Sequence, residues 1–362
     1  MRLPASTSAD LLETGHIVVD GLASADVCTA LRSELAALHK SGRLTPASIR
    51  LRTAGASLGL PVTSSRPVRR GEDSEGVVCA KAGVSELSPV LGGDLEQPDV
   101  LADCPALSRW WKGDTGGNGG VPELIGALNE AAPWLALTHL DTMKLQVNEG
   151  VGGCFPMHSD TTEATGRRVT AILYLTETWE EAHGGELRLF PFPLSPLDIA
   201  PTAGRMVFFS SVSTVHRVMP SVAPRYSIQL FLSTVAGRNP ALQRFPASFP
   251  SWILPEQAES LLFLRTPANA SALTKVFYKD EWAASIQDAF GTSPGVGVSL
   301  ELHSKQTAAL EAGISADLLA LLRDSLPLKK PSLKADQGDG LPEEEKVDSD
   351  IEELDILACD DY

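Results

Sequence analysis

The sequence predicts an α+β chain whose β part is a sandwich or barrel held between two helical regions. Two observations predict it. From Thr142 onward the runs "TMKLQVNE", "RRVTAILYLTETW", "GELRLF", "GRMVFFS", "HRVMP" and "RYSIQLFLST" are short and β-rich, with Gly and Pro between them. Such a series is the pattern of strands that close on one another. On both sides of it the texture is helical, and 362 residues leave ample length to bury a core.

In order, "HIVVDGLASADVCTALRSELAALHKSGRL" reads as a strand at His16 to Val19 and then a helix. Ser24 suits its N-cap, Val27, Leu31, Leu35 and Leu38 share one face, and Gly42 suits the stop. From Thr53 to about Gly93 the pattern weakens into Gly, Ser, Pro and Arg, which predicts a long loop or flexible hairpin. "GDTGGNGG" is a second loop, ahead of a short helix at Val121 to Ala131. After the strand series come helices opened by Pro255, around Asp280 to Phe290, and at Ser315 to Leu326. We therefore expect an N-terminal helical and loop region over 1–137, a core over 138–238, a C-terminal helical extension over 239–327, and an acidic disordered tail over 328–362.

The formal charge of −16 is concentrated in that tail, where Asp336 to Tyr362 carries twelve acidic residues and one lysine. The remainder is only mildly acidic, so no general nucleic-acid surface is expected. The tail and its apolar insert "IEELDILA" are a candidate site for a protein partner. No run approaches the roughly 20 apolar residues of a membrane span, and the first residues lack the apolar stretch of a secretory signal. Five cysteines without C-x-x-C spacing suggest reduced thiols. The expectation is a soluble cytoplasmic or nuclear protein.

Two motifs are decoys. "GASLG" at Gly55 to Gly59 spells a nucleophile elbow, but the "LPVTSSRPVRR" that follows starts a helix poorly. The glycines at 116–120 lack the preceding strand of a dinucleotide site. "CFPMHSD" is different because it has company. His158 and Asp160 are two residues apart, so on an extended segment they point to one side. Alone they are as readily a surface pair or an Asx turn. His216, however, heads another strand-like run, and two imidazoles with one carboxylate are the ligand set of non-haem Fe(II) oxygenases. Nine residues on, Arg225 lies in the apolar strand "RYSIQLFL". It is an arginine at an exposed strand start, a salt-bridge partner, or a clamp on the carboxylate of a dicarboxylate cosubstrate.

Taken together, the stretch from about Thr142 to Thr234 resembles the catalytic domain of the Fe(II)- and 2-oxoglutarate-dependent prolyl hydroxylases. The order is strand, H-x-D, "RRVTAILYLTETW", "GGELRLF", "GRMVFFS", His, "RYSIQLFL". The resemblance implies a double-stranded β-helix, or jelly roll, flanked by N-terminal and C-terminal helices. It also implies Fe(II) on His158, Asp160 and His216, with 2-oxoglutarate and O2 as cosubstrates and ascorbate as a supporting reductant. Arg225 matches the residue that binds the 2-oxoglutarate carboxylate, and Tyr174 matches a tyrosine that reaches the same carboxylate. Asn148 stands where the family often has tyrosine, and Gln229 where threonine is common; both are candidates to contact the cosubstrate, Asn148 by hydrogen bonding, while Gln229 could equally fill space. Asp160 favours hydroxylation over halogenation. Arg167, Thr161, Thr162, Glu163 and the loop "TETWEEAHGG", with Trp179, are placed to meet substrate, whereas His183 reads as solvated. The implied activity is hydroxylation of a prolyl residue of an intracellular protein, releasing succinate and CO2. The alternatives are a hydroxylase of free proline, another residue or a small molecule, and a jelly-roll binding protein without turnover.

Overall fold

The computed structural model describes residues 2–51, 77–114, 119–160, 166–234, 264–293 and 295–325. It begins with α1 (Thr7–Thr14), β1 (His16–Asp20) and α2 (Ala25–Lys40). The expected cap is present: the Val27 amide donates to Ser24 Oγ at 3.3 Å. Leu31, Leu35 and Leu38 are buried on one face of α2. Past its end, Gly42 takes φ +74°, and the Arg43 amide closes back on the Leu38 carbonyl.

Next come β2 (Thr45–Leu51), β3 (Val77–Leu91), β4 (Asp94–Leu95), α3 (Pro98–Asp103), α4 (Pro105–Lys112) and α5 (Val121–Ala131). Of the two expectations for this stretch the structure favours the hairpin over the loop, because Val77–Leu91 is a 15-residue strand paired antiparallel with β2. Its Ala, Gly and Ser residues have weak strand propensity. Pairing with a central neighbour overrides that propensity, since β-preference is mostly a matter of packing context.

The core strands follow: β5 (His139–Glu149), β6 (Gly153–His158), β7 (Arg167–Tyr174), β8 (Leu187–Phe190), β9 (Leu197–Ile199), β10 (Arg205–Ser210), β11 (Val215–Ser221) and β12 (Pro224–Ser233). They form two antiparallel sheets. The larger runs β1-β10-β7-β12-β5-β3-β2, with β4 on β3; the smaller runs β6-β11-β8-β9. This is the expected jelly-roll core. Four helices close the described chain: α6 (Pro267–Phe277), α7 (Lys279–Phe290), α8 (Val296–Ala312) and α9 (Ala316–Ser325). The elements anticipated near Asp280 and Ser315 are α7 and α9. The Pro255 helix, "GASLG", and the tail over 328–362 lie outside the described residues.

Alternation along the strands sorts side chains into layers. On β7, Val169, Ala171 and Leu173 join the core shared with α2, α4 and α5, while Ile172 and Tyr174 join the core between the sheets. A strand buried on both faces reads as a continuous apolar run, which is why "RRVTAILY" is so apolar. The smaller sheet's outer face is covered by α7: Cys154, Met157, Phe190 and Val215 pack with Trp282, Ile286 and Phe290. Each such side chain stabilises the fold by about 1.5–3 kcal/mol relative to exposure. Among the described residues no helix is long and apolar enough to cross a membrane.

Candidate active site

The site grows from one strand pairing. β6 and β11 run antiparallel with His158 opposite His216, so both imidazoles leave the smaller sheet side by side. Their ring centroids are 4.3 Å apart. Each ring is held by its own strand. His158 Nδ1 donates to the Pro156 carbonyl at 2.8 Å, and His216 Nδ1 to the Thr214 carbonyl at 3.2 Å. Carbonyls only accept, so Nδ1 carries the proton and each Nε2 keeps a free lone pair. Burial first, then the neighbouring His216, pushes the His158 pKa down to about 3. The ring is therefore neutral, the form that binds a metal.

Asp160 completes the cluster. Its Oδ1 lies 3.7 Å from both His158 Nε2 and His216 Nε2. Its Oδ2 accepts a 2.6 Å hydrogen bond from Thr170 Oγ1, which is itself 2.8 Å from Ser211 Oγ. With the Thr170 proton spent on Asp160, Ser211 is the donor to Thr170. The three candidate ligand atoms all lie within 4.8 Å of one another. Two neutral imidazoles and a carboxylate, each oriented by an outer hydrogen bond, suit Fe(II) better than a closed structural zinc site.

The cluster opens on a cavity of about 340 Å³ between the sheets. At its far wall Arg225 is 2% exposed. Among the described residues its guanidinium donates only to neutral groups, Ser227 Oγ at 3.3 Å and Gln146 Oε1 at 3.4 Å. It also lies 5.0 Å from the Tyr174 ring centroid. Arg225 Nε and the Tyr174 hydroxyl are buried without hydrogen-bond partners among the described residues. Burial draws the arginine pKa down and the tyrosine pKa up, and the nearness of the two groups opposes each shift. A carboxylate entering here would satisfy both orphan donors. The residues present thus fit a metal and a dicarboxylate.

The other expected residues are placed as follows. Gln229 lines the cavity. Asn148 pairs opposite Arg225, is fully buried, and spends its amide on the Gly153 carbonyl at 3.1 Å. It is outside the cavity lining. Arg167 lines the cavity but is anchored, with Nε donating to Asp141 at 2.8 Å. Trp179 Nε1 donates to the Gly184 carbonyl, and His183 Nδ1 accepts the Glu180 amide. Both serve their own loop. Thr161, Thr162 and Glu163 lie outside the described residues.

Several residues at the site were not anticipated. Thr170 was findable, since it shares the inward parity of Ile172 and Tyr174 on β7. Lys81, Glu86 and Lys144 line the cavity from β3 and β5. Ser285 on α7 accepts the Met157 amide at 2.9 Å, bracing β6 one residue before His158. Arg217, beside His216, is tied to Asp288 of the same helix at 2.7 Å.

Comparison with known proteins agrees with this geometry. Residues 143–233 match the family described as the 2OG-Fe(II) oxygenase superfamily. A hypoxia-inducible factor prolyl hydroxylase of Caenorhabditis elegans is 37% identical over 103 residues, 28% of this chain and 14% of that protein. Prolyl hydroxylase EGLN3 of Homo sapiens is 35% identical over 99 residues, 26% of this chain and 41% of that protein. The chain thus spans less than half the length of these relatives. A solved prolyl 4-hydroxylase structure from Phytophthora capsici has the same fold, with TM-score 0.65 and 24% identity, covering 89% of this chain and 90% of that one. The matched family falls on β5 to β12, the strands that carry the histidine pair, Asp160 and the buried arginine. Residues 143–233 thus match the 2OG-Fe(II) oxygenase superfamily, and over that stretch the chain is similar to prolyl hydroxylases.

Proposed function

We propose that this chain is an Fe(II)- and 2-oxoglutarate-dependent dioxygenase that hydroxylates prolyl residues of a polypeptide substrate. The observation that carries the proposal is the pairing, in one cavity, of an open three-ligand cluster with a buried guanidinium that has no carboxylate partner among the described residues. When bound, iron and 2-oxoglutarate supply the oxidising chemistry, consuming O2 and releasing succinate and CO2.

The chain supplies position. His158, Asp160 and His216 would hold the metal from one side. Thr170 and the Pro156 and Thr214 carbonyls fix the orientation of those ligands before metal arrives. Arg225, with Tyr174, would fix the distal carboxylate of 2-oxoglutarate and so aim its other end at the metal. The apolar walls, Ile172, Leu187, Val218 and Phe231, exclude bulk water from the reacting atoms. The prolyl preference is supported by the two relatives, both prolyl hydroxylases.

The test is succinate release with Fe(II), 2-oxoglutarate and ascorbate on proline-containing peptides, with mass spectrometry of the products. Peptides gaining one oxygen, and no succinate from His158→Ala, are the expected result. Oxygen appearing only in free proline or another small molecule would overturn the peptidyl reading. We also assign residues 336–362 to a protein partner, on their charge and apolar insert. Their deletion should leave turnover of short peptides intact while abolishing co-purification of that partner.

A further inference from the structure

The cavity holds more positive charge than the proposed reaction uses. Four cations line it: Lys81, Lys144, Arg167 and Arg225. Two are matched within the protein, Lys144 by Glu86 at 3.4 Å and Arg167 by Asp141 at 2.8 Å. Among the described residues, Arg225 and Lys81 have no carboxylate at ion-pairing distance. Resting on the reading above, 2-oxoglutarate matches only one of these. One of its carboxylates meets Arg225. The other would meet an Fe(II) centre whose charge, if Asp160 ligates it, would be one positive unit. Lys81 then keeps no carboxylate at ion-pairing distance among the described residues, with Glu86 acting on it only from farther away.

Its placement is not that of a solvated surface lysine. β3 crosses close over β6 at Gly153, where a Cβ would stand 2.9 Å from the Gly83 carbonyl. Two residues before Gly83, the Lys81 ammonium sits 3.9 Å from the centroid of the Phe155 ring. Phe155 lies three residues before His158 on the same strand and lines the same cavity. An aromatic face eases the burial of a cation but does not neutralise it. Desolvation still draws the lysine pKa down to about 8, with the charge on Glu86 opposing the fall. An ammonium held this way remains mostly charged at neutral pH and gains from an incoming anion.

We infer that Lys81 forms an anion subsite of the cavity, receiving an acidic side chain of the polypeptide substrate near the residue that is hydroxylated. The polypeptide is the source because the carboxylates of the cosubstrate are already matched. The subsite selects among proline-containing sequences by charge, which the metal cluster and Arg225 cannot do.

The test is direct binding of two short fluorescent peptides, each with one central proline, flanked by Glu in one and by Gln in the other. Anisotropy is read anaerobically with Fe(II) and 2-oxoglutarate bound, so turnover is not needed. The wild-type protein should bind the Glu peptide about 10-fold tighter, the scale of one charge-assisted contact. Lys81→Met should remove the difference, and Lys81→Arg should keep it. Equal binding of the two peptides by wild type overturns the subsite, as does a preference that survives Lys81→Met. Weakened 2-oxoglutarate binding in Lys81→Met, with the peptide preference intact, reassigns the lysine to the cosubstrate and overturns it too. Mass spectrometry of the same peptides in air separates the two readings. Charge preference without oxygen gain sinks prolyl hydroxylation alone; oxygen gain without charge preference sinks the subsite alone.

Discussion

Thr170 and Asp160 are joined by a 2.6 Å hydrogen bond that points the carboxylate at the two histidines. Thr170 is fully buried on β7, so the bond is sheltered from water and its direction is fixed by the sheet. Outer partners of this kind typically contribute about 10–100-fold in metal affinity. Thr170→Ala should weaken Fe(II) binding by about that factor, and Thr170→Ser, which keeps the hydroxyl, should restore most of it. Anaerobic calorimetric titration with Fe(II) measures it directly. Unchanged affinity in Thr170→Ala would show that Asp160 needs no help.

How much of this was legible beforehand depends on the range of each signal. The strands β5, β7, β8, β10, β11 and β12 stood out because alternation and Gly/Pro punctuation are local properties. His158, Asp160, His216 and Arg225 stood out because their order along those strands is itself a pattern. β3 did not, since its small residues become a strand only by pairing with β5, about 60 residues away in sequence. The Ser285 contact spans 128 residues and leaves no local trace. Lys81 was hidden for the same reason: only the crossing of β3 over β6 brings it to the cavity.

The buried guanidinium gives a second prediction. Arg225→Ala should raise the KM for 2-oxoglutarate by about 10–100-fold, the cost of losing a charge-assisted pair in a dry site. Arg225→Lys should fall between, because an ammonium cannot grip a carboxylate with two parallel bonds. Steady-state succinate assays against cosubstrate concentration decide it. A KM that stays put in Arg225→Ala would remove Arg225 from the cosubstrate site.

Ser285 tests the role of the C-terminal helices. Its hydroxyl accepts from the Met157 amide and donates to the Trp282 carbonyl at 2.6 Å. Ser285→Ala leaves that amide buried without a partner, which should cost about 1–3 kcal/mol. Urea unfolding should show the loss, and Ser285→Thr, retaining the hydroxyl, should be milder. Fe(II) affinity should also fall, since the strand being loosened presents His158. Unchanged stability in Ser285→Ala would mean that water or a shifted strand replaces the bond.

Lys81 makes the last prediction, because a group kept for binding usually carries a stability cost. Its pKa falls from an ordinary 10.5 to about 8, chiefly through burial. A lysine whose folded pKa is lowered binds protons more weakly in the native state than in the unfolded chain. By linkage, native stability then rises with pH across the interval between the two values. Below about pH 8 the penalty is fully present, and above about 10.5 both states are neutral and it vanishes. Lys81→Met, an apolar chain of similar length over the Phe155 ring, removes the penalty. The variant should therefore be more stable than wild type at neutral pH, with an advantage that shrinks as pH rises from about 8 towards 10.5. Paired urea titrations across that window measure the difference while cancelling every other titrating group. A wild type as stable as Lys81→Met at pH 7 would mean the ammonium already has a partner in the free protein, and that the cavity is not waiting for an anion there.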